Sequence, residues 1–569
     1  MASQAGRADL VLVGGPVMTM DPAHPAAEAV AVRAGRLLAV GGARETLELA
    51  GPRTRRIDLR GRTLLPGFID AHCHPVGAGI HLSRCALHDL PNSQEAYLTA
   101  IREYANAHLE LDWIVGSGWY MAVFPGGTPS RHDLDAVVAD RPAMFTNRDG
   151  HGAWVNTRAL EVAGITSTTP DPADGRIERE VDGAPSGTLH EGAMALVERH
   201  MPAPSIDEIA EGIGVAQAYL HRLGITAWQD AIVTSPDLEA YRRFAASGRL
   251  TARVIGCQWW WRELGDEQIE SLIEERARSS VGRLEAGTVK IMADGVCENF
   301  TASVLEPYLD AEGGSTGNLG IDFIDPERLK GHVTKLDALG FQVHFHALGD
   351  RAVRQALDAV EAARRTNGMT DTRPHLAHLQ LVDPADWPRF RELGAGANIQ
   401  PLWACADEQM RELTLPYLRR DRAALSYPIG SMHRAGARLI GGSDWMVSTP
   451  NVFEEIEVAV TRASPQHRDM PPFLPDEAID LETALRAFTM GSAWACHRDT
   501  TTGSIEVGKL ADLVVVDRDI AREPANRLGD VRVLLTLVEG EVVHEDPALE
   551  EAGPGASQTA WDAHPSRID

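Results

Sequence analysis

Apolar residues along this chain gather in short runs that end in small or polar residues, and eight recur in order: LLPGFIDAHCH, GITAWQDA, TARVIGCQ, GTVKIMADG, FQVHFHALGD, PHLAHLQ, GANIQP and ARLIGGSD. Runs of this length, rich in β-branched residues, read as buried strands. Most are followed by a stretch with helical spacing, such as RAVRQALDAVEAARR after the fifth. That alternation predicts parallel βα units, and eight of them predict an α/β fold, a (β/α)8 TIM-like barrel. One spacing breaks the pattern. Between His74 and Gly224 lie 149 residues, far more than a βα connection needs, so an insertion over about 76–222 is expected to act as a lid.

The two ends have a different texture. ADLVLVGG, EAVAVRAGRLLAVGG and TRRIDLRGRTLLPG near the start, and GSIEVGKLADLVVVD and VRVLLTLVEGEVVHED near the end, alternate short β segments with Gly or Pro turns. They predict a small β-sandwich domain built from residues 1–66 and 490–548, with 67–489 left for the barrel. Residues 549–569 are polar, contain Gly and Pro and lack a period, which predicts a tail.

Composition narrows the function. The chain has 569 residues, 44% hydrophobic and 24% charged, an ordinary globular balance. Its 54 Lys+Arg against 81 Asp+Glu give a formal charge of −27. Such a field repels a phosphate backbone, and no basic stripe offsets it, so no nucleic-acid partner is expected. No window nears about 18 uninterrupted apolar residues, so no membrane span is expected either. The six cysteines show no CxxC pair or disulfide-like spacing. The first twenty residues, broken by Gly-Gly-Pro, make a poor secretory signal, and a cytoplasmic location is the simplest expectation.

In a barrel of this type the chemistry sits where strands end. Strand one ends in His72-Cys73-His74, strand four carries Lys290, strand five ends at His346, strand six at His378 and strand eight at Asp444. His72 and His74 are two apart, so both imidazoles project to one side of an extended strand and can share a cation. His346 and His378 offer neutral nitrogens suited to zinc or a similar metal. His344 shares the face of His346 one pleat deeper, where a packed or supporting role is natural, and His375 has the opposite parity to His378. Lys290, between Val289 and Ile291, must either pair with a buried acid such as Asp294 or lose its charge and capture carbon dioxide as a carbamate. Asp444 can bind metal and accept a proton, or cap a helix.

The motifs GFIDAHCHP, GTVKIMADG, VHFHALGDRAV, RPHLAHLQLV, IGGSDW and GSIEVGKLADLVVVD together resemble the metal-dependent amidohydrolase superfamily, over about residues 8–548. HGAWVNTRALEVAGIT and the long insertion are similar to its YtcJ-like branch, which includes N-substituted formamide deformylases. The resemblance implies a centre of one or two divalent metals, with zinc the expected ion, His72 and His74 on the more buried metal and Lys290 as a carbamylated bridge. His346 and His378 would bind the second metal, and Asp444 would ligate and shuttle the proton. The catalytic set is then Asp444, Lys290 and His346. Cys297, a little beyond strand four, keeps a variant bridge in view.

The implied reaction is hydrolysis of a linear amide or N-substituted formamide by a metal-activated hydroxide. Deaminases of this fold place a glutamate three residues after the strand-five histidine, where this chain has Gly349. Lactone or ester hydrolysis on the same centre, and a metal-free binding protein, are the remaining readings. Trp228, Trp259, Trp260, Trp261, Trp403 and Trp445 fall near strand ends, which predicts an aromatic-lined mouth for an apolar or aromatic substrate portion. His151, Trp154, Asn156, Trp119 and Trp445 are the expected substrate contacts. Arg351 could meet an acidic substrate group or a barrel carboxylate, and Glu191 reads first as a helix-terminal acid. Relatives are often oligomeric, so a homodimer is an expectation.

Overall fold

The computed structural model describes residues 6–88 and 90–550. Eight parallel strands form its centre: β1 (Phe68–Cys73), β2 (Ile225–Val233), β3 (Arg253–Trp259), β4 (Leu284–Met292), β5 (Gln342–Ala347), β6 (His375–His378), β7 (Gly396–Ile399) and β8 (Arg438–Gly441). They are hydrogen-bonded in chain order, and each overlaps one of the eight runs singled out above. The ring nearly closes between β8 and β1, where Asp444 N–H donates to His72 O at 2.7 Å and Asn398 Nδ2 donates to Ala71 O at 3.0 Å. Helices such as Pro326–Ala338 and Asp350–Asn367 cover the outside. With both faces covered, every residue of β1 and β5 is buried, the polar Asp70, His72, Gln342, His344 and His346 among them.

The connection after β1 runs through two helices, Pro75–Leu82 and Ile206–Arg222, that pack closely. A Cβ on Gly79 would lie 2.1 Å from Gly212 O, so only glycine permits this approach. Between these helices the insertion forms a six-stranded sheet in the order Gly175–Arg179, Pro185–Glu191, Gly152–Val155, Ala143–Asn147, Ile114–Trp119, Cys85–Ala86. It has its own cores, one around Tyr97, Trp119, Phe145 and Trp154 and one around Met144, Val155, Leu160 and Leu189. The insertion is a folded α/β unit rather than a loop.

The two termini join in one eight-stranded sheet, where Leu64–Pro66 pairs with Leu513–Val516. Leu10, Leu12 and Val30 from its first half and Leu513, Val515 and Leu535 from its second pack into one core. The sequence-based boundaries shift at two places. Ala493 and Cys496 pack against Ile69, Ala227 and Ile255, early residues of β1, β2 and β3, so this segment floors the barrel instead of starting the terminal unit at 490. Leu549 is buried in the terminal core and its carbonyl accepts from Arg62, so the segment expected as a tail begins inside the fold. Residues 551–569 lie outside the described residues. Among the described residues no helix is long and apolar enough to cross a membrane.

Candidate metal centre

Asp444 Oδ1 lies 3.1 Å from His72 Nε2 and 2.9 Å from His74 Nε2, and the ligand atoms of these three residues all fall within 4.8 Å of one another. Ligands held about 2.0–2.1 Å from one tetrahedral zinc stand roughly 3.3 Å apart, so this donor set fits a single cation. His346 and His378 stand beside it, their ring centroids 4.4 Å apart, and the His378 ring is 4.7 Å from that of His72. His378 Nδ1 is buried with no hydrogen-bond partner among the described residues and lies 3.9 Å from Asp444 Oδ2. A buried nitrogen without a partner is costly unless a ligand takes it.

Burial holds the His72, His346 and His378 imidazoles well below the usual histidine range, and nearby positive charge on Lys290 and neighbouring imidazoles adds to it. The rings are therefore neutral, the form that binds metal. Lys290 is 1% exposed, and burial lowers its ammonium to about 8 against the pull of Asp444. Its side chain makes no hydrogen bond or ion pair among the described residues. Asp294, the acid weighed as its partner from sequence, instead accepts from the backbone N–H groups of Ser303, Leu348 and Gly349. That leaves Lys290 as a buried amine drawn by the charge of Asp444 rather than paired with Asp294.

The backbone is strained where it presents these groups. His378 has φ 79° and Asp444 φ 54°, left-handed values that a non-glycine residue adopts only when its surroundings impose them. Asp70 supplies part of that constraint. Its carboxyl accepts from His72 N at 3.1 Å, from Ser443 N at 3.0 Å and from Ser443 Oγ, so it ties β1 to the segment after β8 and sets the spacing of His72 and Asp444. Burial pushes Asp70 up to about 7. The strand pattern carried the signal for it, since Asp70 stands two residues before His72 on the same face.

The centre floors a cavity of about 1240 Å³, walled by the barrel mouth and by the insertion. Two charged side chains of the insertion reach this cluster. His151 Nδ1 donates to Glu191 Oε2 at 2.8 Å, the His151 ring lies 5.3 Å from that of His346, and Glu191 Oε1 accepts from Thr301 of the barrel. Burial alone would lower His151, yet the Glu191 carboxylate outweighs it and raises the imidazole to about 9. Glu191 thus pairs with His151 rather than a helix end, and its φ of 51° marks another strained position.

Of the other expected substrate contacts, Trp445 lines the cavity and stacks on Tyr219 at 5.1 Å. Trp259, Trp260, Trp261 and Trp403 also line it, and Trp403 stacks on the His378 ring at an interplanar angle of 4°. Trp119, Trp154 and Asn156 do not reach it. Both tryptophans are fully buried in the insertion core, donating to Phe145 O and Ser130 O. Asn156 caps the helix Thr157–Ala163 and bonds Ala143, Val138 and Arg141 of the insertion backbone. The motif HGAWVN therefore places His151 at the site and uses its later residues to hold the insertion together. Trp228 is buried beside Tyr241, and Arg351 pairs with Asp322. Sequence reasoning missed Tyr120 and Asp407, which line the cavity and hydrogen-bond across 287 positions at 3.0 Å.

Comparison with known proteins agrees with this architecture. The model of the amidohydrolase family matches residues 55–544. The putative amidohydrolase YtcJ of Bacillus subtilis is 29% identical across 94% of this chain and 98% of its own length. The N-substituted formamide deformylase of Arthrobacter pascens is also 29% identical, across the same shares. An uncharacterized metal-dependent hydrolase from Pyrococcus horikoshii superposes with a TM-score of 0.70 at 22% identity, covering 91% of this chain and 99% of that one. With nearly its whole length matched, eight parallel strands in order and its donor groups gathered at their ends, the chain belongs to the amidohydrolase family.

Proposed function

We propose that this chain is a metal-dependent hydrolase that cuts the carbon–nitrogen bond of a linear amide or N-substituted formamide bearing an aromatic or apolar group. The observation that carries this reading is the convergence of His72, His74 and Asp444 on one point at the floor of an aromatic-walled cavity. Zinc suits the donor set, because neutral imidazoles and one carboxylate favour a borderline cation. When bound, such a cation activates water and polarises the substrate carbonyl. His346 and His378 would hold a second cation, and Lys290, as a carbamate formed with carbon dioxide, would join the two. Asp444, which lines the cavity, would take the proton of the attacking water and pass it to the leaving amine. The tryptophan walls hold the apolar part by stacking and area burial. The similarity to the formamide deformylase supports the same bond class.

Deamination on this barrel is disfavoured by packing. A Cβ on Gly349 would lie 2.0 Å from Ser303 O, so no glutamate fits there. Asp350, the next residue, faces away: its carboxyl accepts from Leu305 N at 2.8 Å and pairs with Arg422.

Metal content by elemental analysis, on wild type and Lys290→Ala with bicarbonate present, tests the reading beside a panel of aryl formamides. Two metals per chain falling to one or none, with hydrolysis lost, is the expected result. Equal metal and equal turnover in both proteins would make Lys290 structural, and no turnover of any amide by metal-loaded wild type would overturn the assignment.

A further inference from the structure

Beneath His72 the barrel interior holds polar side chains where layers of branched aliphatics are usual. His344, His375, Cys257, Gln229 and Asn398 are all buried there. Hydrogen positions follow from the fixed end of this network, because a backbone carbonyl can only accept. Asn398 Nδ2 donates to Ala71 O at 3.0 Å, which fixes that amide, and it also donates to His375 Nδ1 at 3.3 Å. His375 therefore carries its proton on Nε2 and donates to Gln229 Oε1 at 3.2 Å. Gln229 Nε2 donates to Ala495 O at 3.2 Å and to Gln342 Oε1 at 3.0 Å, so this amide is fixed too.

The chain then reaches one group that can turn either way. Cys257 Sγ is 3.6 Å from Gln229 Oε1 and 3.6 Å from His344 Nδ1. His344 Nε2 is 2.7 Å from His72 Nδ1. If the thiol donates to His344 Nδ1, then His344 Nε2–H donates to His72 Nδ1, and His72 presents Nε2–H to Asp444 Oδ1 at 3.1 Å. If the thiol donates to Gln229, its sulfur accepts from His344 Nδ1–H, His344 Nε2 accepts from His72 Nδ1–H, and His72 presents a bare Nε2. The first arrangement suits a carboxylate facing His72, and the second suits a cation. Both carry the same number of protons, and Gln229 Oε1 keeps the His375 donor in either, so no buried group loses all its partners.

We propose that Cys257 and His344 form a two-way hydrogen-bond switch beneath His72, which turns the His72 Nε2 from donor to metal ligand as the cation binds. His344 and Cys257 are positioning residues that act through His72. This rests on His72 being a metal ligand, as in the proposed function. A ligating histidine commonly gives its second N–H to a carboxylate or a carbonyl, which fixes one tautomer in advance. Here the partner is a neutral ring backed by a thiol, which leaves both tautomers open.

The test uses the full chain with 15N-labelled histidine, stripped by chelator and then titrated with zinc. Long-range 15N–1H spectra read the tautomer of each ring, and His344→Gln helps assign the coupled pair. The expected result is His72 as Nε2–H without metal and Nδ1–H with zinc, with His344 changing in step. Zinc affinity by competition with a chromophoric chelator should fall about 10-fold or more in Cys257→Ala and return to within a few-fold of wild type in Cys257→Ser, whose hydroxyl keeps both roles. A His72 tautomer that is the same in both states, or equal affinity in Cys257→Ala and wild type, would overturn the switch. Zinc failing to bind a wild-type chain that shows the expected metal-free tautomer would overturn the metal-centre reading, and this proposal with it.

Discussion

Replacing Glu191 by glutamine keeps its shape and removes its charge. In the native structure the carboxylate stands 2.8 Å from His151 Nδ1, and the imidazole is raised from 6.5 to about 9 although burial pulls it down. A rise of that size corresponds to about 3 kcal/mol of interaction favouring the protonated ring. Because the folded value lies above the unfolded one, that stabilisation is fully present below pH 6.5 and is lost as pH rises through about 9. In Glu191→Gln only burial and the weaker field of Asp149 and Asp444 remain, so His151 should titrate below the usual histidine range. The check is a pH titration of the His151 Cε1 signal in 13C-labelled, chelator-treated protein, with thermal unfolding followed over the same range. Wild type should lose stability between pH 6.5 and 9 and the variant should not. A His151 midpoint that moves by less than one unit would refute the claim that Glu191 sets its charge.

Asp444→Asn should lower kcat/KM on a cleaved aryl formamide by about 10²–10⁴-fold with the fold intact by circular dichroism, because the amide can neither accept the water proton nor return it. Dialysis against a chelator should abolish turnover and added zinc should restore it, and turnover that survives complete metal removal would contradict the centre. Trp154→Ala should destabilise the insertion by about 3–5 kcal/mol, seen as faster protease cleavage within residues 83–205 while the barrel stays resistant. Gly79→Leu should disrupt the close packing on Gly212, lowering the unfolding temperature and separating the insertion from the barrel in the same proteolysis assay.

The barrel was legible because each strand writes its role in a few consecutive residues. Each run is short and ends at the barrel mouth, so a histidine, lysine or aspartate near its end stands out, and chain order alone ranks His72, His74, Lys290, His346, His378 and Asp444 around the ring. The insertion does not write its role that way. Trp119, Trp154 and Asn156 share a segment with His151, yet the sheet turns them into the insertion core and leaves only His151 at the mouth. Nothing local distinguishes a tryptophan that packs a core from one that walls a cavity, since both are large and apolar. Pairs such as Tyr120 with Asp407, or His151 with Glu191, exist only through tertiary contact, and a single sequence carries no trace of them. The floor network escaped for a related reason. Its members lie on different strands, and parity shows that His344 points inward without showing that His72 receives it.

These two kinds of legibility separate two kinds of task. The barrel supplies neutral imidazoles and a carboxylate held by strained backbone and by Asp70, all at or just beyond the strand ends. The insertion supplies a charged pair, His151 with Glu191, hung from a different sheet and touching the barrel through Thr301. Metal affinity should then follow the strand-end residues and the network below them, because removing His151 leaves every donor atom in place. Substrate preference should follow the insertion and the tryptophan walls, because these reach the cavity without contributing a donor to the His72, His74 and Asp444 set. A change in the insertion that alters which amide is cut while leaving zinc affinity untouched is therefore the natural behaviour of this arrangement, whereas a change in β1 or after β8 must alter both together.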